Sequence, residues 1–338
     1  MDYDLRMAVV ALLIAFFANL LICPIIIPLL HRLKFGQTIR SDGPQTHLKK
    51  AGTPTMGGLA IIVSFLISAV FFLGSAGAGE WIQLPFVGNL NSEALLLVFV
   101  TLGFGVVGFL DDYIKVVKKR SEGLTPSQKL MLQLIICGVF LFFLMRIDDP
   151  ANSFRVLNIP IVNWTWDMGI LFYPFAVFFI LGFVNGVNLT DGLDGLAAGV
   201  TAIVATFLML VAWSLSSGVL PIAGAAVGSL LGFLIFNTHP ARVIMGDTGS
   251  LALGGFVAAA ALILRMPLLL VIVGFIYVAE TLSVMIQVAY FKKTGGKRFF
   301  KMAPLHHHYE MKGVSETKIV IVFYIVTTIL CLVGYLIS

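Results

Sequence analysis

The stretch Asn185-Gly-Val-Asn188-Leu-Thr-Asp191-Gly-Leu-Asp194-Gly packs two amides, two carboxylates and three glycines into eleven residues. A second segment, Asn237-Thr-His-Pro-Ala-Arg-Val-Ile-Met-Gly246-Asp247-Thr-Gly249-Ser, puts another amide and carboxylate beside glycines, and Asp111 and Asp112 stand together. Hard oxygen ligands on a backbone that glycine allows to turn sharply suit Mg²⁺. That ion takes one or two carboxylates and completes its shell with substrate phosphates. Softer metals would call for cysteine or histidine at ligand spacing. Cys23, Cys137 and Cys331 all lie inside apolar runs and read as core residues, with no disulfide framework.

The opposite charge comes later. Lys292 to Lys301 is basic and is followed by Met302-Ala-Pro-Leu-His306-His307-His308-Tyr309-Glu310. Adjacent side chains point in different directions, so three consecutive histidines do not readily ligate one ion. Donation of hydrogen bonds to phosphate by one or two of them fits better. Acids, amides and bases gathered on one face would hold a Mg²⁺-bound diphosphate. Phosphoryl transfer needs that arrangement, because its catalysis is mainly positioning and charge neutralisation.

These residues need a scaffold, and the composition names its class. Of 338 residues 59% are hydrophobic and 12% charged. A water-soluble globule of this size has no core large enough for that much apolar side chain. Disorder needs the reverse composition. The chain therefore reads as all-α, a polytopic membrane protein in one integral membrane domain over residues 1–338. Ten apolar segments are long enough to span: about 7–30, 56–73, 94–110, 128–145, 168–184, 195–213, 220–236, 249–264, 267–290 and 319–337. Thr125-Pro126-Ser127-Gln128 predicts a capping box with proline at the first position of the fourth helix. Residues 154–164 suit a small external hairpin or a plain loop equally well. The start, Met1-Asp2-Tyr3-Asp4, lacks the basic region of a removable signal.

Eighteen of the 22 lysines and arginines fall in alternate loops, on one side of such a bundle. That side is expected to be cytoplasmic, with both termini external. Asp111, Asp112, Asp191, Asp194 and Asp247 all fall at span ends on the same side. Ionisable groups near lipid are costly unless paired, hydrated or metal-bound, so these acids mark a cytoplasmic-face site. The net charge of +5 points to anionic lipid or substrate and away from nucleic acid. Gly103-Phe-Gly105-Val-Val-Gly108 matches a dinucleotide fingerprint, but it lies inside an apolar span with no strand before it; close helix packing accounts for it better. Glu280 and Gln287, seven residues apart, share a helix face, with substrate contact and helix stabilisation equally open. A secondary transporter is the alternative from another class, but transporters place ionisable groups near the midplane, where Glu280 is the only carboxylate here. A non-catalytic lipid-binding scaffold would leave the paired aspartates without a purpose.

Four segments carry a family resemblance: Gly-Phe-Leu-Asp111-Asp112-Tyr-Ile-Lys115, Asn188-Leu-Thr-Asp191-Gly-Leu-Asp194-Gly, Met-Gly-Asp247-Thr-Gly-Ser-Leu-Ala-Leu-Gly-Gly and Pro-Leu-His306-His307-His308-Tyr-Glu. They resemble the phospho-N-acetylmuramoyl-pentapeptide transferases, within the polyprenyl-phosphate N-acetylhexosamine-1-phosphate transferase superfamily. The likeness runs from Thr53-Pro-Thr-Met-Gly-Gly to the last span. The histidine run favours the muramoyl branch over the N-acetylglucosamine branch.

The resemblance implies transfer of the phospho-sugar of UDP-N-acetylmuramoyl-pentapeptide to undecaprenyl phosphate, giving lipid I and UMP with Mg²⁺. It also implies a homodimer in the bacterial cytoplasmic membrane. By position in the motifs, Asp247 ligates Mg²⁺, with Asp191 as a second ligand. Asp111 deprotonates or orients the lipid phosphate. Asp112, Asn188, Asp191 and Asp194 line the nucleotide and diphosphate site, and Asn237, His306 and His307 complete it, His306 among the catalytic residues. Lys115, Lys129, Gln287 and His308 are further substrate contacts. Attack of the lipid phosphate on the β-phosphorus in one step competes with a two-step route through an aspartyl-phosphate. Two departures stand out. Ile244 replaces a phenylalanine common in the family, so a uracil base would have to be held otherwise, and Thr248 replaces valine, a change expected to be silent.

Overall fold

The computed structural model describes residues 3–33, 52–73, 81–84, 88–118, 122–148, 153–159 and 164–337. Met1, Asp2 and the loop cations Lys34, Arg40, Lys49, Lys50, Lys119 and Arg120 lie outside these residues. The described chain is helical apart from two short hairpins. In order it runs α1 Tyr3–Arg32, α2 Gly58–Phe72, β1 Trp81–Leu84, β2 Gly88–Asn91, α3 Ser92–Val117, α4 Pro126–Arg146, β3 Val156–Ile159 and β4 Trp164–Asp167. There follow α5 Phe172–Thr190, α6 Leu196–Ser214, α7 Val219–Asn237, α8 Gly246–Ile263, α9 Pro267–Val273, α10 Phe275–Lys293, α11 Leu305–Glu310 and α12 Glu316–Ile337.

Eight of the described helices are long and apolar enough to cross a membrane: α1, α3 to α8 and α12. The other two of the ten expected spans differ from expectation. Helix α2 has 15 residues, short of the roughly 17 that a crossing requires. Segment 267–290, read as one span, is broken at Gly274 into α9 and α10, which meet at an 80° bend. There the Gly274 N–H closes α9 on the Leu270 carbonyl at 2.7 Å. A hydropathy count sees one apolar run; it does not register a glycine that ends a helix.

Helices α6, α7 and α8 form the centre. Ala258, Ala259, Ala260 and Ala261 of α8 are fully buried. The outer helices instead expose large apolar side chains, among them Phe17, Leu21 and Ile25 of α1 and Ile325, Ile329 and Leu332 of α12. Water would penalise such a surface and lipid does not. Small residues set the closest contacts. A Cβ on Gly108 would overlap the Asp247 carbonyl, so this glycine lets α3 lie directly against the start of α8, while Gly103 and Gly105 make room for Ile136 of α4 and Ile62 of α2.

The capping box forms as expected, with Gln128 N–H donating to Thr125 Oγ1 at 3.3 Å and Thr125 N–H to Gln128 Oε1 at 3.0 Å. Between the two readings of residues 154–164, the structure takes the hairpin: β3 pairs antiparallel with β4, Val156 opposite Asp167 and Ile159 opposite Trp164. Its turn falls outside the described residues. Cys23, Cys137 and Cys331 are buried free thiols. The ends of α3, α5 and α7 and the starts of α4 and α8 converge on one end of the bundle, which brings the predicted acids together.

Candidate active site

Asp111 and Asp112 end the apolar part of α3, and Lys115 follows one turn later. The Lys115 ammonium lies 2.6 Å from Asp111 Oδ2 and 3.0 Å from Asp247 Oδ2. Lys129, in the first turns of α4, reaches Asp247 Oδ2 at 2.8 Å and Asp111 Oδ2 at 3.9 Å. From α5, Asn188 Nδ2 donates to Asp247 Oδ1 at 2.9 Å and to Ser250 Oγ at 2.8 Å. Four helices thus meet at one carboxylate.

The backbone around this point is arranged to aim it. Gly246 has φ of +74°, a conformation that side chains disfavour, and it turns the chain into α8. Thr248 N–H and its hydroxyl both donate to Asp112 Oδ2, at 2.9 and 2.8 Å. The Thr248 substitution is therefore not inert in the structure, because valine could not make the second of these bonds. Leu124 N–H donates to Asp111 Oδ1 at 2.8 Å. Oxygens of Asp111, Asp112 and Asp247 lie within 4.8 Å of one another. Three carboxyl groups facing two ammonium groups make a hard-oxygen set with a surplus of acid, which fits a divalent cation. The cluster opens on a cleft of about 370 Å³ bordered by Asp111, Lys115, Lys129, Gln133, Asn185 and Asp247.

The second expected ligand behaves differently. Asp191 caps the end of α5, its N–H bonded to the Asn188 carbonyl at 3.2 Å. Neither group of acids and histidines close enough to hold an ion, among the described residues, includes it. The turn that ends α5 directs Asn188, one turn earlier, at Asp247 instead. The second such group is Asp194, His239 and Glu316. Asp194 Oδ2 accepts from Ala241 N–H at 3.0 Å and lies 3.1 Å from His239 Nδ1, while Asp194 N–H donates to Glu316 Oε1 at 2.6 Å. Asn237 bridges the same loops: its Oδ1 accepts from Gly195 N–H at 3.1 Å and its Nδ2 donates to the Val243 carbonyl at 2.9 Å.

The three histidines are held differently, with the His306 and His307 rings meeting edge to face at 4.1 Å. His306 is fully buried under Gly192, where a Cβ would overlap its Nε2. Its Nδ1 lies 3.2 Å from Glu280 Oε2 but outside hydrogen-bonding geometry, and neither ring nitrogen has a hydrogen-bond partner among the described residues. His307 Nδ1 lies 2.6 Å from Glu310 Oε2. His308 Nδ1 accepts from Lys301 N–H at 3.1 Å. Burial, with Lys312 and Lys301 nearby, holds the His308 imidazole below its ordinary pKa, which suits a neutral acceptor. Glu280 and Gln287 each hold backbone of the segment that follows α10. Glu280 accepts the backbone N–H groups of Leu305 and His306 at 2.7 and 3.2 Å, and Gln287 Oε1 accepts from Phe300 N–H at 2.8 Å. Together they fix the loop between α10 and α11.

Comparison with known proteins agrees with this geometry. Residues 94–265 match the model of glycosyl transferase family 4, and residues 50–62 match signature 1 of phospho-N-acetylmuramoyl-pentapeptide-transferase. A phospho-N-acetylmuramoyl-pentapeptide-transferase of Clostridium perfringens strain 13 is 51% identical over 328 residues, covering 97% of each chain. Those of Geobacillus thermodenitrificans and Acetivibrio thermocellus are 47% and 46% identical, over 97% and 99% of this chain and 97% and 96% of theirs. The chain belongs to the phospho-N-acetylmuramoyl-pentapeptide-transferase family.

The segment that carries the transferase signature has a visible task. Gly57 N–H and Gly58 N–H donate to the carbonyls of Ile244 and Met245, both at 2.9 Å, and Ile244 N–H donates to the Pro54 carbonyl at 2.8 Å. The signature thus docks by its backbone on the two residues that precede Gly246 and Asp247. Reasoning from sequence missed this contact, along with Ser250, Gln133, Asn185 and the pairing of Asp194 with Glu316. The Asn185 amide and the Ser250 hydroxyl stand inside the acid-bearing motifs and were the signals available; the other contacts join residues far apart in sequence.

Proposed function

We propose that this protein, as one transferase domain over residues 1–338, transfers phospho-N-acetylmuramoyl-pentapeptide from UDP to undecaprenyl phosphate, giving lipid I and UMP. It does so in the bacterial cytoplasmic membrane, with the acidic end of the bundle facing the cytoplasm as the loop cations indicate. The observation that carries the reading is the convergence of Asp111, Asp112, Lys115, Lys129 and Asn188 on Asp247 at one end of an apolar bundle. A transporter would want its carboxylates near the midplane. Glu280, the carboxylate expected nearest the midplane, is instead bonded to the backbone at the start of α11, beside Gly192.

Asp247, with Asp111 and Asp112, would hold Mg²⁺, which when bound supplies neutralisation of diphosphate charge. Lys115 and Lys129 sit on long flexible stems beside those carboxylates and can turn to phosphate oxygens. Asp111 faces the cleft, orients the acceptor phosphate and takes its proton when the protonated form binds. An acceptor phosphate oxygen then bonds to the β-phosphorus as the bond to UMP breaks, and the electron pair leaves on UMP. Asn188 aligns Asp247. Asp191 and His307 border the nucleotide side, while Asp194, Asn237, His306, His308 and Gln287 hold the loops that form it. A homodimer is the expected assembly, and the mass of the extracted particle tests it.

The test is UMP release by the purified protein, with and without Mg²⁺ and with and without undecaprenyl phosphate. Release that needs both supports the reading. Release without acceptor, together with a phospho-sugar trapped on the protein, would replace single displacement by the aspartyl-phosphate route. No release under any condition would overturn the function.

A further inference from the structure

Gln133 is 2% exposed, and its Nε2 has no hydrogen-bond partner among the described residues. A buried amide donor left unpaired is costly, and native structures rarely keep one without a use. Its orientation is set from α5. Asn185 Nδ2 donates to the Leu181 carbonyl at 2.8 Å and approaches Gln133 Oε1 at 3.4 Å. Exchanging the oxygen and nitrogen of Gln133 would set donor against donor. The carbonyl therefore faces α5, and the NH₂ group, itself closed to solvent, is left without a partner on a residue that borders the cleft with Asn185, Lys129 and Asp247.

The position of this donor narrows its ligand. Gln133 lies four residues beyond Lys129 on α4, so both occupy one helix face, with Gln133 one turn deeper into the apolar part of the bundle. The cleft wall here is Leu124, Pro126 and Leu130. Leu130 and Leu134 are 46% and 42% exposed on the flank of α4. The cleft is thus cationic toward the acids and apolar toward the lipid-facing side. A ligand with an anionic head and a hydrocarbon tail matches both ends, whereas a nucleotide sugar matches only the first.

We propose that the Gln133 amide donates a hydrogen bond to a phosphate oxygen of the prenyl-phosphate acceptor, with Asn185 as the positioning residue that presents it. This rests on the transferase reading above. The full-length enzyme tests it through UMP release with each substrate varied in turn. Gln133→Met, which keeps the chain length, is expected to raise KM for undecaprenyl phosphate about tenfold or more and to leave KM for the nucleotide sugar within about twofold. Asn185→Leu is expected to shift the same constant by less. The double variant should be no worse than Gln133→Met, because both act through one bond.

A binding measurement separates head from tail. The parent should bind a short prenyl phosphate more tightly than the matching prenyl alcohol, and Gln133→Met should narrow that preference by about tenfold, the lysines keeping the rest. Should Gln133→Met fail to fold, Gln133→Asn, which withdraws the amide by one methylene, is expected to show the same split. An acceptor KM within about twofold of the parent in the folded variant overturns the proposal. So does a raised KM for the nucleotide sugar alone, which would give the amide to the donor. Absence of acceptor-dependent UMP release in the parent is a different failure, that of the transferase reading itself.

Discussion

Two groups of acids sit at the same end of this bundle, each with ligand atoms within 4.8 Å, and they are built for different ends. In the group of Asp194, His239 and Glu316, two contacts use backbone amides: Ala241 donates to Asp194, and Asp194 donates to Glu316. Those donors cannot leave without unfolding a loop. Around Asp247 the donors are side chains: Lys115, Lys129 and Asn188. Long ammonium stems can be redirected to a phosphate at little cost. Asp111 and Asp112 are anchored by the N–H groups of Leu124 and Thr248, so the contrast lies at Asp247 itself, whose donors can all be redirected.

The sharpest break between the two groups is expected from the amide replacements. Asp247→Asn should lower turnover roughly a thousandfold or more, since it removes charge where transferred phosphate must be stabilised. The protein should still extract as a folded particle. Asp194→Asn should lower turnover far less and lower the midpoint of thermal unfolding instead, because it weakens a bond to Ala241 across two loops. Rates and melting curves of the two variants, measured side by side, check the pair. The reverse ranking would make Asp194 the chemical residue.

Lys129→Met is the next largest. It removes an ammonium 2.8 Å from Asp247 and at the cleft wall, and kcat/KM should fall roughly a hundredfold. Lys129→Arg should recover part of this, since charge returns but a planar fork replaces a compact ammonium. Full recovery would mean that charge alone matters there.

Gly192→Ala tests the clasp from the histidine side. The added methyl overlaps His306 Nε2, so either the loop after α5 or α11 must shift. A loss of about 1–3 kcal/mol of stability is expected from such overpacking. Turnover should fall about tenfold as the loop that follows Asn188 moves. A crystal structure of this variant with His306 in place would show that the loop yields rather than the imidazole.

Much of this was legible beforehand because it follows from local rules. The capping box at Thr125, most of the apolar spans, the hairpin option at 154–164 and the separate partners of His307 and His308 all depend on neighbours in sequence. The gathering of Asp111, Asp112 and Asp247 was legible as well, since alternation of spans places all three at one end. What escaped depends on contacts between distant segments. Nothing local distinguishes Asp191 from Asp194, yet one caps a helix and the other joins the loop at His239. The break at Gly274 escaped because an apolar count carries no information on direction. The docking of Gly57 and Gly58 on Ile244 and Met245 uses main-chain groups, which no side-chain pattern announces.

Thr248→Val isolates the smallest difference between the groups. Asp112 accepts both the Thr248 N–H and the Thr248 hydroxyl on one oxygen. Valine keeps the shape and the backbone bond and removes the hydroxyl bond alone. A hydrogen bond to a charged group contributes roughly 1.5–3 kcal/mol, but the retained N–H offsets part of its loss. Turnover is therefore expected to fall about two- to fivefold, with KM for both substrates little changed. The reason is geometric: Asp112 lies 3.7 Å from Lys115, so a carboxylate freed on one side can lean toward that ammonium and draw it from Asp247. Thr248→Ser, which restores the hydroxyl, should return the parent rate. If valine and serine variants prove indistinguishable, the hydroxyl is packing against Asp112 and does not hold its orientation.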